Sequence, residues 1–412
     1  MCRMEPLSLR IDYSRTKKGV VSRTTICDIT VQKGIADHIG EHVKKILASS
    51  DKEGVSSVCV ITDSVVAGIH GRKLLSVVSE ISRKVSLVKF EAGESSKTLA
   101  TVSKIAGHLD RNGADRNTVL FALGGGVVGD LTGFVASIYK RGVRYFQVPT
   151  TLLAQVDSSI GGKTGVDTEW GKNQLGTFYQ PRGVFIDPSL LDTLPSSELI
   201  NGVAEIAKTA IISDKRMFEW LCALKDNIIS LPSLKNFIGE TCRIKASIVS
   251  EDEKEDNLRA ILNYGHTVGH AIEASTDFGL SHGRSVILGM LAEGWIAEKM
   301  GIFSSEDLER QNELLLRILS GRPSLRSNVK GSNSTNRIVL RTLRNERRLE
   351  RLALADKKST ASSKTIRMSL PEKIGRMSRT ENEGSYRIPV RRELFLESIR
   401  YLRSLLEGLR AL

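Results

Sequence analysis

Three histidines within 17 positions, His266, His270 and His282, together with the carboxylate of Glu205, are the residues of this 412-residue chain that point first to chemistry. Imidazole nitrogens and a carboxylate oxygen, with one position left open, make the ligand set of a catalytic zinc-type ion. In Asn263-Tyr264-Gly265-His266-Thr267-Val268-Gly269-His270, helical spacing puts Asn263, His266 and His270 on one stripe. Spacing alone lets His266 and His270 bind together, with His282 outside the set, and any one of the three could be a satisfied core histidine. No Glu follows His266, so the pattern is not H-E-x-x-H and a metalloprotease would lack its general base. Glu205 and Lys208, three apart in an amphipathic stretch, share a helix face.

A second constellation suits an anionic, hydroxylated ligand. An apolar strand ending at Leu123 runs into Gly124-Gly125-Gly126-Val127-Val128-Gly129-Asp130 and then a helical pattern. Glycines at such a turn let backbone N–H groups approach a pyrophosphate, and the helix N-terminus adds partial positive charge. The spacing is not G-x-G-x-x-G, so by itself the turn is as compatible with a tight structural bend. Arg141, Thr150-Thr151, Asp157, the string from Ser158 to Gly165 around Lys163, and Lys172-Asn173 follow within about fifty residues of the turn. Lysine and arginine supply charge to phosphate, and Asn and Thr orient hydroxyls. Gly161-Gly162 beside Lys163 has no evident packing purpose and reads as part of the ligand loop.

These residues need a scaffold. Strands are expected at 55–62, 84–90, 117–123, 143–149 and 183–187, with helical patterns between them such as 96–113. That alternation predicts an α/β, Rossmann-like N-terminal domain with a parallel sheet covered by helices. Beyond residue 196 strand signals almost vanish, and helices are expected at 196–213 and 259–275. The expected division is residues 1–195 and a mainly α-helical domain at 196–412, with 321–337 an exposed loop.

In order along the chain, GGGVVGDLTGF, YKRGVRYFQVPTTLLAQVDSSIGGKTGV, GKNQLGTFYQP, NGVAEIAK, LNYGHTVGHAIE and SHGRSVILGM closely resemble the 3-dehydroquinate synthases. The resemblance implies NAD as cofactor, with Asp63, Glu94 and Lys97 at its adenosine end. Gly125, Gly126, Val127, Val128 and Gly129 would face the pyrophosphate, with Asp130, Thr150, Thr151 and Lys172 completing that side. Lys163, Leu190, Thr193, Leu194 and Glu198 would also belong to the cofactor site. Glu205, His266 and His282 would hold a divalent metal, Zn²⁺ or Co²⁺. His270, Lys163, Asn173 and Arg141 would serve the substrate phosphate, with Lys357 a further phosphate contact. Asp157, Lys208 and Asn263 would meet hydroxyls, and Lys245 and Arg259 the carboxylate. Arg141 would reach the neighbouring subunit's site, which implies a homodimer.

The implied reaction turns 3-deoxy-D-arabino-heptulosonate 7-phosphate into 3-dehydroquinate and phosphate, with NAD used and regenerated. Two other classes share the apparatus. One is the sister sugar phosphate cyclases of the 2-deoxy-scyllo-inosose synthase type, whose substrates lack a carboxylate and make no use of Lys245 and Arg259. The other is the metal-dependent polyol dehydrogenases, which need no phosphate-binding Lys163, Asn173 and Arg141. Composition narrows the rest. The net charge of +13 lies wholly in residues 321–412, where 22 Lys and Arg face 9 Asp and Glu. No aromatics interleave the basic run 337–352, so nucleic acid is not expected as a partner. No long apolar run predicts a membrane span, and the start has no apolar leader. Five scattered cysteines without C-x-x-C spacing fit a reduced, cytoplasmic enzyme.

Overall fold

The structure, a computed structural model, describes residues 6–17, 20–50, 54–225, 228–276, 279–320, 333–356 and 364–411. The chain forms two compact units, Met1–Gly202 with Ile238–Glu253, and Val203–Phe237 with Lys254–Leu412.

In the first unit, the strands among the described residues are β1 (Leu7–Lys17), β2 (Val20–Val31), β3 (Val58–Asp63), β4 (Val85–Phe90), β5 (Val119–Gly124), β6 (Arg144–Pro149), β7 (Lys163–Thr168), β8 (Gly171–Phe178) and β9 (Gly183–Ile186). Seven form one sheet in the order β1-β2-β9-β6-β5-β3-β4. All its pairings are parallel except β1 with β2. Helices α1 (Ile39–Ser50), α2 (Arg72–Val78), α3 (Leu99–Arg111) and α4 (Gly126–Ile138) accompany it. Alternation along the central strands divides the core in two, because successive side chains leave opposite faces. Val58, Val60, Val119 and Phe121 pack with Ile39, Val43 and Leu74, whereas Cys59, Ile61 and Leu120 pack with Ile105, Leu109 and Leu131.

The five strands expected in the parallel sheet are present within a few residues of their predicted bounds. The β1–β2 hairpin was not anticipated, although Leu7, Leu9 and Ile11 alternate with Ser8, Arg10 and Asp12. The string around Lys163, read as a ligand loop, is a second hairpin, β7 with β8. Gly161 and Gly162 do have a backbone purpose: both adopt positive φ on entry to β7, and a Cβ on Gly162 would meet the Gln180 amide at 2.7 Å.

The second unit is built mainly from helices. They are α5 (Ser196–Ser213, shared with the first unit), α6 (Lys215–Ala223), α7 (Leu231–Glu251, also shared), α8 (His266–Ser275), α9 (His282–Lys299), α10 (Ser305–Ser320), α11 (Asn333–Leu343), α12 (Glu346–Asp356) and α13 (Arg392–Ala411). Among the described residues, the short strands β10 (Thr365–Met368), β11 (Pro371–Lys373), β12 (Arg376–Met377) and β13 (Ile388–Arg391) form two antiparallel pairs. Of the loop expected at 321–337, residues 321–332 lie outside the described residues, and Asn333–Arg337 instead open α11.

The single helix expected over 259–275 is broken. A 3-10 turn covers Leu258–Asn263, Gly265 takes φ +77°, and α8 starts at His266. Asn263 therefore does not share a helix stripe with His266 and His270. The break lets α8 lie against α9 almost backbone to backbone. A Cβ on Gly289 would stand 1.8 Å from the Gly265 carbonyl oxygen and 2.8 Å from the Gly269 nitrogen. Gly289→Ala must therefore separate the two helices, at a cost of about 3 kcal/mol. Urea unfolding should show a lowered midpoint against Gly408→Ala on α13, where an added methyl meets nothing. Equal midpoints would mean that the helices part freely.

Candidate functional site

Glu205 projects from α5 into a buried cluster with His266 and His282, the first residues of α8 and α9. One ligand atom from each of the three lies within 4.8 Å of the others. His266 Nε2 is 3.6 Å and His282 Nε2 3.4 Å from Glu205 Oε1. The other ring nitrogen of each histidine is also oriented: His266 Nδ1 lies 3.1 Å from the Tyr264 carbonyl, and His282 Nδ1 3.6 Å from Glu273 Oε2. That is how histidines are held for metal ligation, with one nitrogen anchored and the other presented. His270, Glu273 and His282 form an overlapping second set.

The electrostatics follow from burial and neighbours. Burial alone would push the Glu205 carboxyl up, but the Lys208 ammonium, paired with Oε2, and His282 outweigh it and hold it at about 2. Oε2 is taken up by Lys208, whereas the buried Oε1, which faces both histidines, accepts no hydrogen bond. A buried, ionised carboxylate in that state fits a cation among these three side chains. Burial, with Lys208 and His270, pushes His266 well below its ordinary range, leaving the neutral imidazole a metal requires. Burial also works against a charged His282, yet Glu205 and Glu273 raise it to about 9.

Two buried carboxylates here escaped the sequence reading. Glu293, on α9, accepts the Gly265 N–H at 2.7 Å and the Val268 N–H at 3.0 Å, capping α8 from a neighbouring helix. Glu273 backs His282. Neither carries a motif of its own, because each acts through tertiary contact. Glu255 was also missed: at φ +63° it receives a hydrogen bond from the Asn263 amide. Arg259 is buried on the 3-10 turn before α8. Lys357 lies outside the described residues.

In the first unit, Gly125 precedes α4 without any side-chain cap, so the first-turn N–H groups of Gly126, Val127 and Val128 face outward from the helix end. A Cβ on Gly125 would lie 3.0 Å from Thr151 Cγ2, and one on Gly126 3.1 Å from Ser158 Oγ. This is a cradle that side chains would fill, and it fits a pyrophosphate. Gly129 approaches Gln147 in the same way, and the Thr150 N–H donates to the Gly124 carbonyl. Asp63 Oδ1 caps the Val65 and Val66 N–H groups. Leu190 and Thr193 lie together, with the Thr193 hydroxyl 3.0 Å from His70 Nε2. Leu194 closes that turn, and Glu198 receives the Asn201 amide.

Lys172 pairs with Glu94 at 3.2 Å, while the buried Lys97 reaches Asp130 at 2.6 Å and Asn173 Oδ1 at 2.5 Å. Lys163 stands exposed at the start of β7. Arg141 is exposed and left-handed (φ +68°), following Lys140 at φ +49°. Lys245 donates to the Asp157 carbonyl at 2.6 Å and to its Oδ1 at 2.5 Å. Lys245 and Arg259, expected to act as a pair, belong to different units.

The class is defined by likeness of the whole fold. A solved 2-deoxy-scyllo-inosose synthase, complexed with carbaglucose-6-phosphate, NAD⁺ and Co²⁺, superposes with a TM-score of 0.79 at 25% identity. The match covers 96% of this chain and all of that one. The architecture is thus that of the sugar phosphate cyclases. Within that class, the N-terminal 3-dehydroquinate synthase family matches residues 87–201 and the C-terminal one residues 202–330. A 3-dehydroquinate synthase of Prochlorococcus marinus is 42% identical over 293 residues, 70% of this chain and 80% of that protein. One of Thermodesulfovibrio yellowstonii is 39% identical over 354 residues, 85% and 92% of the two chains. The chain belongs to the 3-dehydroquinate synthase family. Its reaction is the phosphate-eliminating closure of 3-deoxy-D-arabino-heptulosonate 7-phosphate to 3-dehydroquinate, a step of the shikimate pathway.

The raised His282 gives a pH signature in chelator-treated protein. Its charged form stabilises the fold fully below about pH 6.5, and that contribution is lost as pH rises through about 9. Urea midpoints should fall over this window, and His282→Gln should flatten the slope. An unchanged slope would remove His282 as its source.

Proposed function

We propose that Glu205, His266 and His282 hold a divalent ion, Zn²⁺ or Co²⁺, and that the glycine turn before α4 holds NAD for this reaction. The observation that carries the reading is the buried Glu205 carboxylate, with ligand atoms from two oriented histidines within 4.8 Å. When bound, NAD supplies reversible hydride acceptance at the substrate's C5 carbinol, and the ion supplies Lewis acidity there.

The chain's own residues do the binding and the proton work. Lys163, Asn173, Arg141 and His270 serve the phosphate, as does Lys357, which lies outside the described residues. Asp157, Lys208 and Asn263 orient hydroxyls, and Arg259 and Lys245 take the carboxylate. With the C5 position at the ketone level, the proton on C6 is acidified. Its loss drives out phosphate from C7, which departs with the electron pair of the broken C–O bond. After C5 returns to the alcohol, ring opening and an intramolecular aldol addition close the carbocycle, and no net redox change remains. Fixed charges around a polyanionic substrate contribute mainly by position and electrostatics.

Asp63, Glu94, Lys97, Asp130, Thr150, Thr151, Lys172, Leu190, Thr193, Leu194 and Glu198 complete the proposed cofactor surroundings. The exposed, left-handed Arg141 supports a homodimer in which it serves the partner's site. Two consecutive non-glycine residues at positive φ cost about 1–3 kcal/mol each, which is more readily understood at a functional turn. The described cysteines, all free, support a cytoplasmic setting. Among the described residues no helix is long and apolar enough to cross a membrane.

Incubation with the heptulosonate phosphate, a divalent ion and substoichiometric NAD should release one phosphate per substrate, and chelation should abolish release. Release that continues without NAD and with chelator present would refute the mechanism. The dimer has a separate test. Arg141→Ala and Lys208→Ala subunits, each nearly inactive, should regain about a quarter of wild-type activity when mixed and reassociated, because one site in a mixed dimer is intact. No gain on mixing, with exchange verified, would place Arg141 in its own subunit's site.

A further inference from the structure

Lys97 is a buried lysine whose ammonium has two partners from different parts of the first unit. Its Nζ lies 2.6 Å from Asp130 Oδ2 on α4 and donates to Asn173 Oδ1 on β8 at 2.5 Å. Its own backbone is tied to the same hairpin. The Lys97 carbonyl accepts the Asp167 N–H at 2.8 Å, and Asp167 Oδ1 accepts the Asn173 N–H at 2.8 Å. That closes a ring from Lys97 through Asp167 and Asn173 back to Lys97, and it holds Asn173 at φ +54°.

The chemistry of the donor decides the orientation of the amide. An ammonium only donates, so Asn173 must turn its oxygen to Lys97 and present its Nδ2 donor elsewhere. An anion is the ligand such a donor suits. A side-chain amide without this constraint is free to turn its oxygen towards the anion instead. The other partner, Asp130, lies on the first turn and a half of the helix whose N-terminus forms the glycine cradle.

We propose that Lys97 is a positioning residue that couples the cofactor subsite to the phosphate subsite by sharing one ammonium between Asp130 and Asn173. The inference rests on the assignment of NAD to the glycine turn and of phosphate to Asn173. Lys97 belongs to the cofactor surroundings proposed above and acts on the phosphate only through Asn173. Ordering Asp130 against a bound cofactor fixes the ammonium, which fixes the Asn173 amide as a donor for the anion, and the effect is reciprocal.

The test is NAD affinity by isothermal titration calorimetry on the metal-loaded, full-length protein, in chloride and in inorganic phosphate at constant ionic strength. In the wild type, phosphate should tighten NAD binding about five-fold or more. In Lys97→Met the ratio should fall to about one. A merely structural role would weaken NAD in both buffers and leave the ratio intact, so the ratio separates the two. If the lone buried carboxylate of Asp130 prevents folding of Lys97→Met, the double variant Lys97→Met/Asp130→Asn removes both charges and should also give a ratio of one. A folded variant of either kind with the wild-type ratio overturns the proposal, as does a wild type that binds NAD with no response to phosphate. A wild type that fails to bind NAD in either buffer defeats the underlying assignment first.

Discussion

How closely two helices can approach determines the cluster of Glu205 with two histidines. α8 and α9 touch through Gly265, Gly269 and Gly289, where any Cβ would strike backbone or the Met290 side chain. Because His266 and His282 are the first residues of these helices, the backbone separation sets the distance between their rings, 5.5 Å between centroids. The capping of α8 is supplied across the same contact, by Glu293 reaching from α9 to two N–H groups. Helix start, helix spacing and ligand geometry are therefore one constraint, and Glu205 from α5 completes it. Around this cluster, Tyr264 donates to Gln311 at 2.6 Å and its carbonyl orients His266, so the turn before α8 is held on both sides.

The same logic operates in the first unit with different parts. There the glycines after β5 bring backbone N–H groups to the surface of a cradle, while charged side chains set what faces them. Burial alone would push the Asp130 carboxyl up and works against a charged Lys97. The pairing opposes both effects, and for Lys97 the carboxylates of Asp130, Glu94 and Asp167 prevail. A second link, Lys172 to Glu94, joins the β7–β8 hairpin to the loop after β4. The hairpin that carries Lys163 and Asn173 is tied down by these ion pairs and by Val166, which is buried in the apolar core with Leu131 and Val135, while Trp170 at its tip is exposed.

The basic excess of the last quarter of the chain is partly absorbed by the fold. Arg392 and Arg400 of α13 pair with Glu350 and Glu346 of α12 at 2.7 and 2.8 Å. Arg387 donates to the Asp256 carbonyl at 2.6 Å and also to the Glu255 carbonyl, supporting the loop before the 3-10 turn that bears Arg259 and Asn263. At exposed positions such pairs contribute little to stability, about 0–1 kcal/mol each. Their effect is to orient helices and to fix one loop of the candidate site.

By itself the sequence determined the alternating strands and helices of the first unit, the helical character of the second, and the family to which the chain belongs. Those features depend on local periodicity and on strings of residues in fixed order, which are legible without coordinates. It also grouped Glu205 with three histidines, but it left open which of them belong together. Tertiary structure brought Glu205, His266 and His282 within reach of one another, broke the expected helix at Gly265, and removed Asn263 from the histidine stripe. It also revealed Glu273, Glu293 and the shared ammonium of Lys97. These act between segments far apart in sequence, through hydrogen bonds and excluded volume. No pattern of neighbouring residues can encode a distance that only the packing of two helices, or the closing of a ring of partners, sets.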